Sequence, residues 1–251
     1  MLKITIIVIA KNESDCIADC FKSAAWADKV LLLDGDSTDD TQNIARSYKV
    51  KIVPQQEKTL NYAAWHNEGQ KAATGDWIFY LDADERFTPE LVIELRNLIN
   101  SDPPHSAYAV PRYNYLLKKR LLHGGWYPDY QVRLFKNDKL KRWSGKLHEH
   151  PEYIGTLGYL NNQIVHIQPD TIEPALKKSI KWSQTEAELL YLAHHPHVVW
   201  WRVLRMGLTT LFDRLVKKQG FRDGIEGWIE SLYQSFHTMM VYLRLWEKQQ
   251  L

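Results

Sequence analysis

The chain has 251 residues with 45% hydrophobic content, enough for the core of one large domain or of one domain with an appendage. Its 2 cysteines, Cys16 and Cys20, are too few for a disulfide scaffold or a zinc framework and suit a reducing compartment. The net charge is +2, yet residues 1–100 hold 11 basic and 16 acidic residues and the remainder holds 21 and 14. The acidic part suits a metal site and the basic part an anionic partner, but no recognised motif predicts nucleic-acid binding.

The first 85 residues alternate four times between strand and helix patterns. Apolar runs predict strands at residues 5–10, 29–33, 50–53 and 77–81. The segments between them predict helices at 14–26, from 37 or 38 onward, and at 62–73, with Ser14 or Asn12 and then Ser37 or Thr38 as N-caps. This alternation predicts an α/β fold with an open parallel sheet, which binds ligands beyond the carboxyl ends of its strands.

The pattern changes after Thr88-Pro89-Glu90, which opens a further helix. Strand patterns follow at residues 106–115, 131–135 and 159–167, separated by loops rich in glycine and aromatic residues. From residue 172 onward the chain is predicted to be helical.

Two of the predicted strands end in acidic residues. Asp82 and Asp84 follow the fourth strand, and side chains two positions apart on a strand share a face. Their carboxylates are therefore expected to converge, which suits Mg2+ or Mn2+ shared with substrate phosphates, whereas a solvated turn is the alternative. Asp34-Gly35-Asp36 follows the second strand and could accept hydrogen bonds from a base or a ribose, or simply form a capped turn.

Several segments resemble the motifs of family 2 glycosyltransferases of the GT-A fold. They occur in the family's order: Val8-Ile9-Ala10-Lys11-Asn12-Glu13, Asp34-x-Asp36-Ser37-Thr38-Asp39-x-Thr41, Asn67-x-Gly69-x-x-x-Ala73-x-Gly75-Asp76-Trp77 and Leu81-Asp82-Ala83-Asp84-Glu85. A middle block, residues 124–135 and 143–149, is similar to the bacterial subgroup that extends lipopolysaccharide inner cores, described as β-1,4-glucosyltransferases.

The resemblance implies a domain organisation. Residues 1–170 would form the GT-A catalytic domain, an open and mostly parallel sheet flanked by helices. Its nucleotide-sugar half would be residues 1–100 and its acceptor half residues 101–170. Residues 171–251 would be a helical C-terminal appendage.

The resemblance also implies roles for individual residues. Asp34 would read the nucleotide base, Asp82 would lie near the ribose, and Asp84 would hold a divalent cation, Mg2+ or Mn2+, that bridges the diphosphate. His148 is a candidate further metal ligand. The full nucleotide-binding set would be Ala10, Lys11, Asn12, Glu13, Asp34, Asp36 and Asp82.

Direct displacement at the anomeric carbon inverts its configuration and requires a general base near the acceptor hydroxyl. Glu149 is the favoured candidate for this base, and Asp129 is the second candidate. Trp126 and Tyr127 are predicted to stack on a sugar, with loop packing as the alternative. Arg133 is predicted to contact phosphate, with surface solvation as the alternative.

Residues 198–251 bear on where the protein works. The apolar run of residues 198–208 is interrupted by Arg202 and Arg205, so no window of it can span a bilayer. A helix with Trp, Leu and basic residues is predicted to lie on a membrane surface, whereas packing on the catalytic domain or on a second subunit is the alternative. No signal-peptide pattern opens the chain, so the expected location is the cytoplasm, peripheral to the inner membrane.

The predicted function is inverting, metal-dependent transfer of a hexose, glucose from a UDP-sugar, to a lipopolysaccharide core or another lipid-linked saccharide. A polyprenyl phosphate or a polypeptide is the alternative acceptor. A non-catalytic, membrane-associated binding protein on the same fold is the alternative from another class. A nucleotidyltransferase is disfavoured, because residues 10–13 are not the glycine-rich, basic loop that such an enzyme carries after its first strand.

Overall fold

The structure is a computed structural model that describes residues 2–55, 61–145, 149–168 and 171–251. The chain forms two units. The first comprises Met1–Arg112 and Tyr130–His166, and the second comprises Tyr113–Asp129 and Ile167–Leu251.

Strands and helices alternate up to the end of β4 at residue 82, and helices follow residue 171. In chain order the strands are β1 (Ile4–Ala10), β2 (Lys29–Asp34), β3 (Lys51–Pro54), β4 (Trp77–Asp82), β5 (Glu85–Phe87), β6 (Ala107–Leu116), β7 (Lys119–Leu121), β8 (Asp129–Lys136), β9 (Leu140–Ser144), β10 (His150–Tyr153), β11 (Leu157–Tyr159) and β12 (Ile164–Ile167). The helices are α1 (Ile17–Ala24), α2 (Thr41–Ser47), α3 (Tyr62–Ala72), α4 (Pro89–Ile99), α5 (Ile172–Leu192), α6 (Trp200–Phe212) and α7 (Gly224–Gln250), with a π-helical segment at Asp213–Lys217 and a 3-10 turn at Gly220–Asp223.

The sheet of the first unit has the order β3-β2-β1-β4-β8-β6-β12-β5. The strands from β3 to β4 are mutually parallel, and β8 joins β4 in the antiparallel sense. The register places Ala10 opposite Asp34 and Ile9 opposite Asp82. The carboxyl ends of β1, β2 and β4 therefore meet at one edge of the sheet, as the sequence predicts for a ligand site.

The strand β1 is covered on both faces, which explains its unbroken apolar sequence. On one face, Ile6 and Val8 pack in the same cluster as Phe21 of α1. On the other face, Ile7 packs in a second cluster with Tyr80. Each fully buried side chain of this kind stabilises the fold by roughly 1.5–3 kcal/mol, so the site edge rests on a rigid support.

The predicted ends of two helices are wrong. The helix α1 begins at Ile17, and neither Ser14 nor Asn12 caps it, because residues 12–16 form a loop that is bonded to the next strand–helix connection. The helix α2 begins at Thr41 rather than at residue 37 or 38. In both cases a tertiary contact uses the side chain that the local pattern predicts as a cap.

The strands of the second half differ from prediction in length and number. The predicted strand at 159–167 is two strands, β11 and β12, with a bend at Asn161 and Asn162 whose backbone N–H groups donate to Glu94. The short strands β5, β7, β9 and β10 are not predicted, because three to five residues carry too little periodicity.

The second unit is mainly helical, as predicted from residue 172 onward. Its α7 packs against both α5 and α6, and Gly207 permits the close approach of α6, since a Cβ there would lie 2.5 Å from Cγ of Met239. Val203 and Leu245 belong to the buried cluster of this unit. Within the described residues, none of the helices has the length and apolarity needed to traverse a bilayer.

Candidate functional site

Asp34 ends β2 with a carboxylate that is almost completely buried, at 3% exposure. Its Oδ2 accepts hydrogen bonds from the N–H of Ser37 at 3.1 Å and from Nε2 of Gln42 at 2.7 Å. Its Oδ1 is equally buried and has no hydrogen-bond partner within the described residues. A buried acceptor is costly unless it receives a hydrogen bond, so this oxygen is available to accept one from a ligand or from water.

Residues 10–13, at the end of β1 and in the loop that follows it, are hydrogen-bonded to the loop that follows Asp34. The carbonyl of Ala10 accepts from the N–H of Gly35 at 2.9 Å. Asn12 has a φ of 58°, donates its N–H to Ser37, and accepts the N–H of Thr38 at Oδ1. The two strand ends therefore form one cradle beside Asp34.

Other contacts tighten this cradle. The N–H of Glu13 donates to Oγ1 of Thr41 at 2.9 Å, and a Cβ at Gly35 would lie 2.9 Å from Cβ of Lys11. Asp36 is exposed and has a φ of 64°. The predicted nucleotide-binding residues in the ranges 10–13 and 34–36 thus lie at two neighbouring strand ends and in the loops that follow them.

Asp82 ends β4 and is held by Arg133 of β8. The guanidinium bonds both carboxylate oxygens, through Nη1 to Oδ1 at 3.3 Å and through Nη2 to Oδ2. The same Nη2 lies 2.8 Å from Oε1 of Glu85, whose side chain has 0% exposure. Arg133 is itself buried at 8% exposure, so the alternative that it is solvated at the surface is wrong. Its charge is compensated inside the protein.

Glu85 is the centre of this ion cluster. It accepts the N–H of Asp82 at 3.0 Å and an Arg112 guanidinium nitrogen at 3.2 Å. Burial raises the pKa of Glu85, although the charges of Arg133 and Arg112 oppose the shift. Loss of solvent also opposes ionisation of Asp82, but Arg133 and Arg112 hold the pKa of that carboxyl well below its usual range.

Asp84 does not share a strand face with Asp82. The strand β4 ends at Asp82, and Ala83 and Asp84 form the turn into β5. The Asp84 Oδ2 lies 3.2 Å from Nε2 of His166 on β12, whereas Asp82 is bonded to Arg133. The shared strand face that the sequence predicts for the two carboxylates is therefore wrong, because a turn intervenes between them.

The donor set around Asp84 suits a divalent cation that also takes substrate oxygens. A carboxylate and an imidazole are ligands that Mn2+ accepts, and two protein ligands leave coordination positions for phosphates and water. No cluster of three or more His, Cys, Asp or Glu side chains that could hold a metal occurs among residues 2–55, 61–145, 149–168 and 171–251. His148, the other predicted ligand, lies outside the described residues.

Glu149 is half-buried, directly precedes β10, and belongs to the first unit. Burial raises the pKa of Tyr62, and the negative charges of Glu149 and Asp82 add to that shift. The charges of both carboxylates therefore act on one tyrosine hydroxyl.

The predicted sugar-contacting residues Trp126 and Tyr127 belong to the second unit. Gly124 and Gly125 precede them with φ values of 67° and 87°, a backbone shape that favours glycine. Tyr127 is 40% exposed, and its ring centroid lies 5.3 Å from that of Tyr113. The two rings are tilted by 51° to each other, and Tyr127 is the more exposed of the pair.

Asp129 is fixed by a buried asparagine in the second unit. Asn114 has 0% exposure, and its Nδ2 donates to Oδ2 of Asp129 at 2.9 Å and to the carbonyl of Trp126 at 3.2 Å. This bond sets the orientation of the second base candidate and of the aromatic loop together.

Several residues at these sites are not assigned by sequence reasoning. Glu85, Arg112 and Asn114 are polar residues within strands, where the local pattern gives no sign of their partners. His166 alternates within the apolar strand β12, and a histidine at such a position is more often structural than a ligand. Only its pairing with Asp84, 82 positions earlier in the chain, distinguishes it.

The chain matches the sequence profile of Glycosyl transferase family 2 over residues 5–159. It is 24% identical to an uncharacterized glycosyltransferase of Rickettsia typhi, an alignment that covers 98% of this chain and 88% of the relative. It is also 24% identical to the lipopolysaccharide core biosynthesis glycosyltransferase LpsC of Rhizobium meliloti, which covers 98% of this chain and 93% of LpsC.

Solved glycosyltransferase structures share the fold. The TarS fragment of S. aureus in complex with UDP-GlcNAc superposes with a TM-score of 0.50 and 11% identity, over 99% of this chain and 92% of that one. Glucosyl-3-phosphoglycerate synthase of Mycobacterium tuberculosis, in complex with Mn2+, UDP and glucosyl-3-phosphoglycerate, gives a TM-score of 0.50 and 15% identity over 76% and 79%. The predicted family and fold are thus confirmed, and the chain belongs to glycosyl transferase family 2 with the GT-A fold.

Proposed function

We propose that this glycosyltransferase is inverting and metal-dependent, and that it moves glucose from UDP-glucose onto a lipopolysaccharide core or another lipid-linked saccharide. The catalytic domain would be residues 1–170, with the donor bound by residues 1–100 and the acceptor by residues 101–170. The acceptor would be met at the cytoplasmic face of the inner membrane.

The buried Oδ1 of Asp34 supports the binding of a nucleotide base. A uracil ring presents an N–H donor at its edge, and that donor would satisfy the one carboxylate oxygen that lacks a partner within the described residues. The loop of residues 10–13 would close over the base, and Asp36 and Asp82 would lie toward the ribose. The UDP-GlcNAc in TarS and the UDP in the M. tuberculosis enzyme support a uridine nucleotide.

Asp84 and His166 would hold the divalent cation, with His148 as a further candidate. When bound, the cation neutralises the negative charge that develops on the leaving diphosphate. The Mn2+ in the M. tuberculosis enzyme supports this choice of metal. Arg133 would serve the donor by fixing the carboxylate of Asp82, to which it is already bonded.

Glu149 would act as the general base. It would take the proton of the acceptor hydroxyl while the hydroxyl oxygen bonds to the anomeric carbon and the bond from that carbon to the diphosphate breaks. Attack from the face opposite the diphosphate inverts the configuration. Asp129 is the second candidate for this role, and Trp126 and Tyr127 would stack on the apolar faces of the acceptor sugar.

The acceptor class is supported by the similarity to LpsC over 98% of this chain. It is also supported by the excess of basic residues after residue 100, which suits an acceptor that carries phosphate.

The test is slow hydrolysis of a panel of UDP-sugars, with and without Mn2+, by the wild type and by Asp84→Asn. We expect UDP release from UDP-glucose that requires Mn2+ and is lost in the variant. A different preferred sugar would overturn the donor assignment, and metal-independent release would overturn the metal assignment. Incubation with lipopolysaccharide truncated at the inner core, followed by mass spectrometry, tests the acceptor, and an unchanged core mass in the presence of an active donor would overturn it.

A further inference from the structure

The helix α6 exposes a row of large apolar side chains. Trp201, Leu204, Leu208 and Phe212 recur at helical spacing and are between 48% and 67% exposed. Together with Arg205 and Thr209 they line an open groove of about 460 Å³. Trp200 at the start of the helix is 77% exposed. A soluble monomer rarely leaves so many large apolar groups in water.

The helix α7 carries a second row of the same kind. Its exposed members recur at intervals of three, four or seven residues along most of the helix and are each between 46% and 66% exposed: Ile225, Trp228, Leu232, Phe236, Leu243 and Trp246. Three of these side chains are aromatic and three are aliphatic, so the row is a mixed aromatic and aliphatic surface. It is continuous in helical position from the first turn of α7 to the last.

The two rows face the same side of the second unit. The helices run antiparallel, because Val198 contacts Gln249 while Gly207 contacts Ser235. Along each helix, the exposed residues come one position after the residues that contact the other helix, as Leu208 follows Gly207 and Phe236 follows Ser235. One position corresponds to a rotation of about 100° about the helix axis. An equal rotation on two antiparallel helices brings both rows to one side, which we call the apolar face.

The sequence of α6 and the residues that follow it is rich in positive charge. Residues 200–222 hold six Lys or Arg side chains and one acidic side chain, Asp213. The guanidinium of Arg205 lies 5.4 Å from the centroid of the Trp201 ring, so a cation sits at the edge of the apolar row. Tryptophan beside Arg and Lys is the composition of surfaces that sit at the boundary between lipid headgroups and acyl chains.

We infer that the apolar face inserts into the interface of a bilayer that contains anionic phospholipid, with Arg205 and Lys217, which lie against the rings of Trp201 and Phe212, at the level of the phosphates. This deepens the lipid-linked acceptor of the proposed function, on which it rests. A second copy of the chain is the less suitable occupant, because two identical faces would bring their like charges together. Phosphate at the membrane surface satisfies the basic residues, while the acyl region covers the tryptophans and leucines.

The experiment is co-sedimentation of the full chain with vesicles of phosphatidylcholine alone or mixed with phosphatidylglycerol. No sugar donor or acceptor is present, so failure here is distinct from failure of the proposed reaction. We expect the wild type to bind the anionic vesicles and Leu208→Glu to weaken that binding by at least about tenfold. Leu208 is 67% exposed, and thermal unfolding of the variant checks that its fold is unchanged.

The matched control is Ile93→Glu, which places the same charge at a 61% exposed apolar position on α4 of the first unit. It should leave vesicle binding unchanged. Absence of wild-type binding to anionic vesicles, or equal loss in both variants, would overturn the inference. A wild-type dimer that Leu208→Glu converts to a monomer, without vesicle binding, would assign the face to a second copy instead.

Discussion

Arg133 and Glu85 form an ion pair inside the first unit, with 2.8 Å between Nη2 and Oε1 and side-chain exposures of 9% and 0%. Both side chains are surrounded by protein, so neither charge can turn to water if its partner is removed. The guanidinium of this pair also bonds Asp82, which lies at the carboxyl end of β4. One arginine therefore connects the buried ion pair with the carboxylate at the end of β4.

Replacing Arg133 by methionine should destabilise the fold strongly. The change leaves Glu85 buried with one cation fewer, and breaking such a pair costs about 3–5 kcal/mol. Urea unfolding monitored by tryptophan fluorescence measures the loss. Arg142→Met is the control, since Arg142 is 68% exposed in its ion pair with Glu152, and it should hardly move the midpoint. Equal midpoints for the two variants would show that the buried pair contributes little.

Asp34→Asn should weaken UDP binding without unfolding the protein. The amide can keep its oxygen toward Ser37 and Gln42, but it then places an NH2 group where the nucleotide donor would bind. Loss of one charge-assisted hydrogen bond, about 1.5–3 kcal/mol, raises the Kd for UDP roughly 10- to 100-fold. Isothermal titration calorimetry measures the Kd for UDP. The charge-matched control is Asp40→Asn, at an exposed position. An unchanged Kd would remove Asp34 from the nucleotide site.

Much of the sheet edge that carries the candidate nucleotide site can be predicted from the sequence. The apolar runs of β1, β2 and β4 need burial on both faces, which forces a parallel sheet and brings Asp34 and Asp82 to one edge. The pairing of Arg133 with Asp82 and of His166 with Asp84 cannot be predicted this way. These contacts join residues 51 and 82 positions apart through antiparallel strands, and no local period encodes them.

Removal of His166 should weaken metal binding. The Oδ2 of Asp84 and the Nε2 of His166 are 3.2 Å apart. If both hold the metal, loss of one of these two ligands should lower the affinity for Mn2+ by at least about tenfold. Electron paramagnetic resonance of free Mn2+, in the presence of UDP, measures this independently of turnover. Asp84→Asn should abolish binding, and the exposed His150→Ala is the control. If His166→Ala binds Mn2+ as tightly as the wild type, the histidine only orients Asp84.

His66 should make the fold less stable in mild acid. It is 4% exposed, stacks 4.1 Å from the ring centroid of Trp143, and burial lowers its pKa to about 4. The unfolded chain binds its proton near pH 6.5, so stability from this group is full above that pH and falls as the pH drops toward 4.

The size of the His66 effect follows from those two pKa values. At pH 5 the loss relative to pH 7.5 is about 2 kcal/mol. Urea unfolding of the wild type and of His66→Gln at both pH values measures it, and the variant should lose less stability on acidification. Equal losses in the two proteins would place the acid sensitivity in other groups.

Glu149→Gln should reduce turnover far more than it reduces donor binding. A glutamine cannot take the proton of the acceptor hydroxyl, and loss of general base catalysis typically costs roughly 10²- to 10⁴-fold in kcat. The Kd for UDP should stay near the wild-type value, because the proposed role of Glu149 concerns the acceptor and not the donor. Glu152→Gln, three residues further along, is the matched control and should keep its kcat. If Asp129→Asn loses kcat while Glu149→Gln keeps it, the base belongs to the second unit, where Asn114 orients the carboxylate of Asp129.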